Sequence, residues 1–374
     1  MLHESLSCLL PYRLTAGKFI LEWLAKTRIH MLSRLKQLIT QPNIAVDLGT
    51  ANTRIYASEL GKFAEEPSLI RHIKNDEKTH ISDEYISYLN SKLVSMPLRG
   101  GVIVDINNAI NLLKPLVKRA RKGLRQPVSL ACAPTDTSDK ERELLTEAIL
   151  HAGASHVAII PEVWAAAIGA GIDVTLPLAQ VLIDIGEGVT DMAVIRDGRL
   201  IYASAVRTAC SDIQKAVRAA IMARHKVYLY HAEAERLTHE ISSMSQQQAF
   251  PQKLITVNGI DIIKGRRVTI EVNNKVIISA MEPVVYKILG MIELGLKNIP
   301  ENASCEILES GICLTGGGAC IDGIDRLIAL RTNLDVRIAP DPIHSVINGA
   351  IQTLNYWKGK EFWWENIVWP KLTS

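Results

Sequence analysis

The chain has 374 residues, of which 48% are hydrophobic and 22% charged, with a formal net charge of +3. That length supports a large core divided between two domains, and so small a charge excess gives no electrostatic basis for nucleic-acid binding. The six cysteines (Cys8, Cys132, Cys210, Cys305, Cys313 and Cys320) are scattered without a CxxC pair, which argues against zinc or a disulfide framework and for a reducing cytoplasm.

Residues 1–41 stand apart from the rest. Arg13, Lys18, Lys26, Arg28, Arg34 and Lys36 oppose only Glu4 and Glu22, and Phe19, Ile20, Trp23, Leu24, Met31, Leu35, Leu38 and Ile39 recur at helical spacing. A cationic amphipathic helix of this kind suits the headgroup region of an anionic membrane. A helix packed on the first domain, or an extension upstream of a start at Met31, accounts for the same pattern. No run of about 18 apolar residues is free of charge, so no transmembrane helix is expected.

Downstream, strands and helices alternate as in α/β proteins. Residues 43–48 and 53–58 read as a hairpin, 59–98 as an inserted subdomain, and 128–132 as a buried strand. Ser138 and Glu141 form a capping box that opens a helix to His151. A strand at 156–160 and an Ala-rich helix from Glu162 follow. A second hairpin region spans 181–204 with a turn at Asp197-Gly198. Ser211 and Gln214 suggest another capping box, with a helix to Arg224. Residues 225–275 read as a second insertion, with a Gln246–Gln248 run and an Asn273-Asn274 turn between β-rich pieces, and with Arg266, Arg267 and Lys275 on a solvated face. An amphipathic helix is expected from Glu282 to Asn298, followed by a buried strand, the triple glycine Gly316-Gly317-Gly318 and a further helix. Four of the six tryptophans (Trp357, Trp363, Trp364 and Trp369) crowd the C-terminus, which suits either a membrane interface or a protein contact.

One template occurs twice. Asn43-Ile-Ala-Val-Asp47-Leu-Gly49-Thr50-Ala51-Asn52-Thr53 and Val181-Leu-Ile-Asp184-Ile-Gly186-Glu187-Gly188-Val189-Thr190 are each an apolar strand, Asp-x-Gly, a short turn and a Thr six positions after the Asp. Hairpin tips of this composition aim several backbone N–H groups into one concavity, which suits an anion. Two facing tips would grip a polyphosphate from both sides. Asp47 and Asp184 would then lie where a hydrated Mg²⁺ bridges to phosphate oxygens.

These residues resemble the actin/Hsp70/sugar-kinase superfamily, and most closely the MreB family of bacterial actins. The motifs that carry the resemblance, in order, are Asp47-Leu-Gly-Thr-Ala-Asn-Thr53, Ala165-Ala-Ala-Ile-Gly-Ala-Gly171, the Asp184 hairpin and Leu314-Thr-Gly-Gly-Gly-Ala319. The similarity covers roughly residues 31–352. It implies an actin-like ATPase fold of class α/β, with two similar domains around a nucleotide cleft. Domain I would comprise 42–180 plus 342–357 with its insertion at 59–98, and domain II 181–341 with its insertion at 225–275; 358–374 is a Trp-rich tail.

The resemblance also implies site roles. Gly49, Thr50, Ala51 and Asn52 would form one phosphate loop, and Gly186, Glu187 and Gly188 the other. Gly316, Gly317 and Gly318 would pass under the adenosine, Glu235 would lie near the nucleoside, Asp47 and Asp184 would hold Mg²⁺ through water, and Glu162 would orient the attacking water. The chain departs from the family pattern at Pro161, Glu187, Val189, Cys210-Ser211 and Thr238, where Glu, Gly, Thr, Gly-Asp and Lys are usual. These departures bear on nucleoside affinity and hydrolysis rate more than on the fold.

The expected function is an ATP-binding cytoskeletal protein that assembles head-to-tail into filaments at the inner face of the cell membrane. It would act in cell shape with envelope morphogenesis proteins, anchored by residues 1–41 or by the tail. A non-hydrolysing scaffold of the same fold is the main alternative. A small-molecule kinase lacks a further substrate motif, and an Hsp70-type regulator would need a peptide-binding domain after the ATPase.

Overall fold

A computed structural model of the protein describes residues 43–71, 94–240 and 253–356. The basic N-terminal segment, the Gln run, the Trp-rich tail and the middle of the first expected insertion lie outside the described residues. Among the described residues no helix is long and apolar enough to cross a membrane.

Two five-stranded sheets share one topology. In the first, Lys62–Pro67, Asn52–Ala57 and Ile44–Leu48 form an antiparallel meander, and Val128–Ala133 and His156–Pro161 extend it in parallel. In the second, Arg199–Val206, Thr190–Arg196 and Gln180–Ile185 form the meander, and Ile312–Thr315 and Val336–Ile338 extend it in parallel. The duplicated motif of the sequence therefore sits at the same place in two duplicated sheets. Lys62–Pro67, expected within an insertion, is instead the edge strand of the first sheet, paired antiparallel with Asn52–Ala57.

The leading strands are apolar without alternation because each face of the sheet is covered. Ile44, Val46 and Leu48 pack toward helices Ile106–Ala120 and Asp139–His151, whereas Ala45, between the first two, packs toward Ile347 and Ala350 of helix Ser345–Tyr356. In the second sheet Val181, Ile183 and Ile185 join the core of helices Cys210–His225 and Asn274–Lys297, and Leu182 faces Val163 and Ala166 of helix Glu162–Gly169.

Helices Glu162–Gly169 and Ser345–Tyr356 cross at backbone contact. A Cβ at Gly169 would overlap the Ser345 carbonyl, and one at Gly349 the Ala165 carbonyl. Only glycine permits that approach.

Local chemistry explains most boundaries. The capping box at Ser138 forms, with the Glu141 N–H donating to Ser138 Oγ (3.3 Å) and the Ser138 N–H to Glu141 Oε2 (2.8 Å). Asp197 and Gly198 both take positive φ, as a two-residue hairpin turn requires. The box expected at Ser211 does not form. The helix starts at Cys210, Asp212 Oδ2 accepts the Ala209 N–H, and the N–H groups of Cys210 and Ser211 donate to the carbonyls of Gly186 and Glu187. A neighbouring loop caps this helix, so its first residue is set by tertiary contact. The helix expected from Glu282 begins at Asn274, capped by Asn273 Oδ1, and carries Pro283 inside it. Residues 227–273 contain a three-stranded sheet, where β-rich pieces are expected, and helix His231–Glu240, which a polar, weakly periodic sequence does not signal.

Candidate functional site

The two hairpins close alike. The Gly49 N–H donates to the Asn52 carbonyl (3.1 Å) and the Gly186 N–H to that of Val189 (3.0 Å). Neighbours hold each tip by its carbonyls: Ser68 donates to Ala51 O and Gly49 O, and the start of helix Cys210–His225 donates to Gly186 O and Glu187 O. With the carbonyls taken, the N–H groups of Thr50, Ala51, Glu187 and Gly188 have no partner among the described residues. The tips also meet. A Cβ on Gly188 would stand 2.7 Å from Thr50 Oγ1, which itself accepts the Gly101 N–H at 2.9 Å.

A cavity of about 240 Å³ opens between them. It is lined by Asp47, Gly49, Thr50, Ala51, Asn52, Glu162, Asp184, Gly186, Glu187, Gly188, Glu235, Gly316 and Gly317. Thus every site residue named from sequence reaches one cavity except Gly318, which packs behind the turn against Ile185. Gly316 has φ +80° and abuts Asp184 Oδ1 and the Ile185 carbonyl, so the turn requires glycine there. A Cβ on Gly317 would meet no protein atom within 4 Å, which leaves its face to a ligand.

Residues that the sequence motifs do not single out complete the site. The antiparallel register sets Asp47 opposite Arg54 and Asp184 opposite Asp191. Arg54 is 8% exposed and donates from Nη1 to Asp47 Oδ2 (3.1 Å) and from Nε to Glu65 Oε1 (2.9 Å). Asp191 accepts the Thr135 N–H at 3.0 Å. A basic residue in the strand that leaves the tip, seven positions past Asp47, is the signal that could have found Arg54. Gln214, 2% exposed, donates weakly to Glu187 Oε2 (3.5 Å). Thr238 turns inward and donates to the Glu235 carbonyl, and His239 lines the cavity instead. Val189 and Cys210, two of the departures, also line it.

The electrostatics are those of crowded acids. Burial raises Asp184 to about 7, reinforced by Asp191 and Asp47. Burial likewise raises Asp191 to about 6, against the hydrogen bonds from Thr135. Glu162, the first residue of its helix, is pushed well above the usual carboxylate range by burial and then by Asp47, Asp191 and Asp184. Asp47 is raised by burial, with Arg54 opposing. Glu187 rises to about 7 through burial and Glu235.

Several buried carboxylates facing one cavity call for a cation, and a divalent ion fits that donor set. No three His, Cys, Asp or Glu side chains among the described residues converge tightly enough to ligate one directly. The arrangement therefore suits an ion held through its own waters and a ligand's oxygens. Unpaired N–H groups on facing tips, an open glycine and this acidic floor together form a receptacle for a phosphorylated ligand with its counter-ion.

Comparison with known proteins agrees with this geometry. The MreB/Mbl protein family profile matches residues 41–361. The chain is 30% identical over 315 residues to the cell shape-determining protein Mbl of Bacillus subtilis, covering 82% of this chain and 94% of that protein. It is 29% identical over 340 residues to the cell shape-determining protein MreB of Escherichia coli, covering 87% and 96%. Among solved structures, MreB5 of Spiroplasma citri bound to ADP superposes with a TM-score of 0.74 at 28% identity, covering 86% of this chain and 99% of that one. The subunit of the MamK double helical filament superposes at 0.68 with 20% identity over 83% of this chain and 98% of that one, a likeness of fold. The chain therefore belongs to the MreB/Mbl family and has its actin-like α/β fold.

Proposed function

We propose that this protein binds ATP with Mg²⁺ between its two hairpins and assembles head-to-tail into filaments that act in cell shape. The observation that carries the reading is the set of four unpartnered backbone N–H groups on two tips that face each other across an acidic cavity. The B. subtilis and E. coli relatives are named as cell shape-determining proteins, and the S. citri neighbour was solved with AMPPNP and with ADP. The assembly follows from heterologous contacts that do not close, which generate filaments.

In this reading Thr50, Ala51, Glu187 and Gly188 hold phosphate oxygens, Gly316 and Gly317 let the nucleoside lie against the backbone, and Glu235 borders it. Bound Mg²⁺ would supply charge to the phosphates, with Asp47 and Asp184 holding its waters. Glu162 would accept a hydrogen bond from the attacking water and orient it. The protein would work in the cytoplasm at the inner face of the membrane, held there by residues 1–41 or the Trp-rich tail, with envelope morphogenesis proteins as partners.

Mg-ATP binding by the purified chain and by Asp184→Ala, followed by sedimentation, tests this. Binding lost in the variant, with ATP-dependent pelleting of the parent, is the expected result; absence of binding by the parent would sink it. A second reading, a scaffold that does not hydrolyse, is favoured by Glu187, an acid on the phosphate side of the cavity that opposes phosphate whenever it is ionised. Phosphate release in the pelleted samples separates the two.

A further inference from the structure

Arg54 lines the cavity that Asp47, Glu162 and Asp184 also line. It is clamped on two sides, by Asp47 Oδ2 on Nη1 and Glu65 Oε1 on Nε. Glu65 is in turn steadied, since its Oε2 lies 3.3 Å from His344 Nε2 and His344 Nδ1 lies 2.9 Å from Asp341 Oδ1. Arg54 presents five N–H donors. Those of Nη2 have no protein partner among the described residues, although the residue is more than nine-tenths buried. A buried Arg whose only task was to neutralise Asp47 would spend its donors on protein. This one lines the cavity with donors that no described protein group takes, on the strand that leaves the Thr50 and Ala51 tip.

We propose that Arg54 is a phosphate-binding cation of the cleft. It supplies to a nucleoside di- or triphosphate part of the positive charge that a divalent ion otherwise brings, so that nucleotide is retained when such ions are removed. The second hairpin has no counterpart, because Asp191 stands at the matching register position. The inference rests on the nucleotide reading above.

The test is calorimetric titration of the full chain with ATP, in Mg²⁺ and in EDTA, for the parent, Arg54→Gln and Arg54→Lys. The parent is expected to lose less than about 10-fold in affinity on chelation. Arg54→Gln is expected to lose at least about 10-fold more than the parent in EDTA, the effect of deleting a charge-assisted hydrogen bond. The loss should be smaller in Mg²⁺, and Arg54→Lys should recover part of it. Equal affinities of the parent and Arg54→Gln in EDTA would overturn the proposal and leave the nucleotide reading intact. So would complete loss of binding by the parent on chelation, a result that needs no variant to fold. Failure of the parent to bind ATP even in Mg²⁺ would remove the nucleotide reading and this proposal with it.

Discussion

The two hairpins share a backbone and differ in charge. Each closes through the same Gly N–H bond, places a Thr opposite the residue after its Asp, and aims two free N–H groups at the cavity. Across the strand pair, however, Asp47 meets Arg54 whereas Asp184 meets Asp191. The first hairpin is thus internally neutralised, with its carboxylate tied to a guanidinium at 3.1 Å. The second holds two buried acids, both raised by burial and Asp184 further by Asp191, that await an external cation. A duplicated scaffold can therefore carry unlike electrostatics, because hairpin register fixes which side chains face each other but not their sign.

The largest effect should come from breaking the first pair. Arg54→Gln strands a buried Asp47 and is expected to destabilise the fold by about 3–5 kcal/mol in urea denaturation, the usual cost of breaking a buried ion pair from one side. Asp184→Asn, which removes one of two like-charged groups, should be neutral or stabilising at pH 8. If both variants proved equally destabilising, the contrast between the hairpins would be wrong.

Next in size is the glycine turn that abuts the second hairpin. Gly316→Ala forces a β-carbon into a left-handed backbone against Asp184 and should destabilise by about 1–3 kcal/mol. Gly317→Val should leave the melting temperature nearly unchanged yet weaken ATP binding, since its β-carbon meets only open space. A large stability loss at Gly317 would contradict the ligand-facing assignment.

The pH response sharpens the comparison further. Asp184 and Asp191 bind protons more tightly when folded than when unfolded, so their contribution to stability is complete below the ordinary carboxylate range. It is lost as pH rises through about 6 and then about 7. The melting temperature of the nucleotide-free, metal-free protein should fall between pH 5 and pH 8, by an amount on the order of 1–3 kcal/mol in stability. In Asp184→Asn the slope should flatten; an unaltered slope would place the titration elsewhere.

Smallest is the contact between the tips. Thr50→Val removes the acceptor of the Gly101 N–H and should cost about 1 kcal/mol. Differential scanning calorimetry would measure it.

Much of the site is legible in the amino-acid order. The Asp-x-Gly repeat names both tips because such turns need particular residues at fixed offsets, and the apolar strands on either side define their ends. The Ser138 capping box is equally plain, its reciprocal bonds being made within four residues. Less legible is whatever depends on a distant neighbour. Cys210 begins its helix because Gly186 and Glu187 supply acceptors from another loop. Thr238 sits where a ligand-facing residue is expected, yet it packs inward beneath Glu235, and His239 takes its place on the cavity. Lys62–Pro67 reads as insertion because its charges mask its periodicity, and only pairing with Asn52–Ala57 makes it a strand of the main sheet.

By itself the sequence determined the duplicated strand–turn–strand units, the glycines at both tips and in the third turn, and the placement of Asp47 and Asp184 at strand ends. All of these follow from local geometry and short-range hydrogen bonding. Tertiary structure alone decided that the two tips face each other at Thr50 and Gly188, that Glu162 joins their carboxylates, and that Arg54 is held by Glu65 from the neighbouring strand. Proton affinities and the need for a counter-ion arise from burial and from charges brought together across long sequence separations, and those distances exist only in the folded chain.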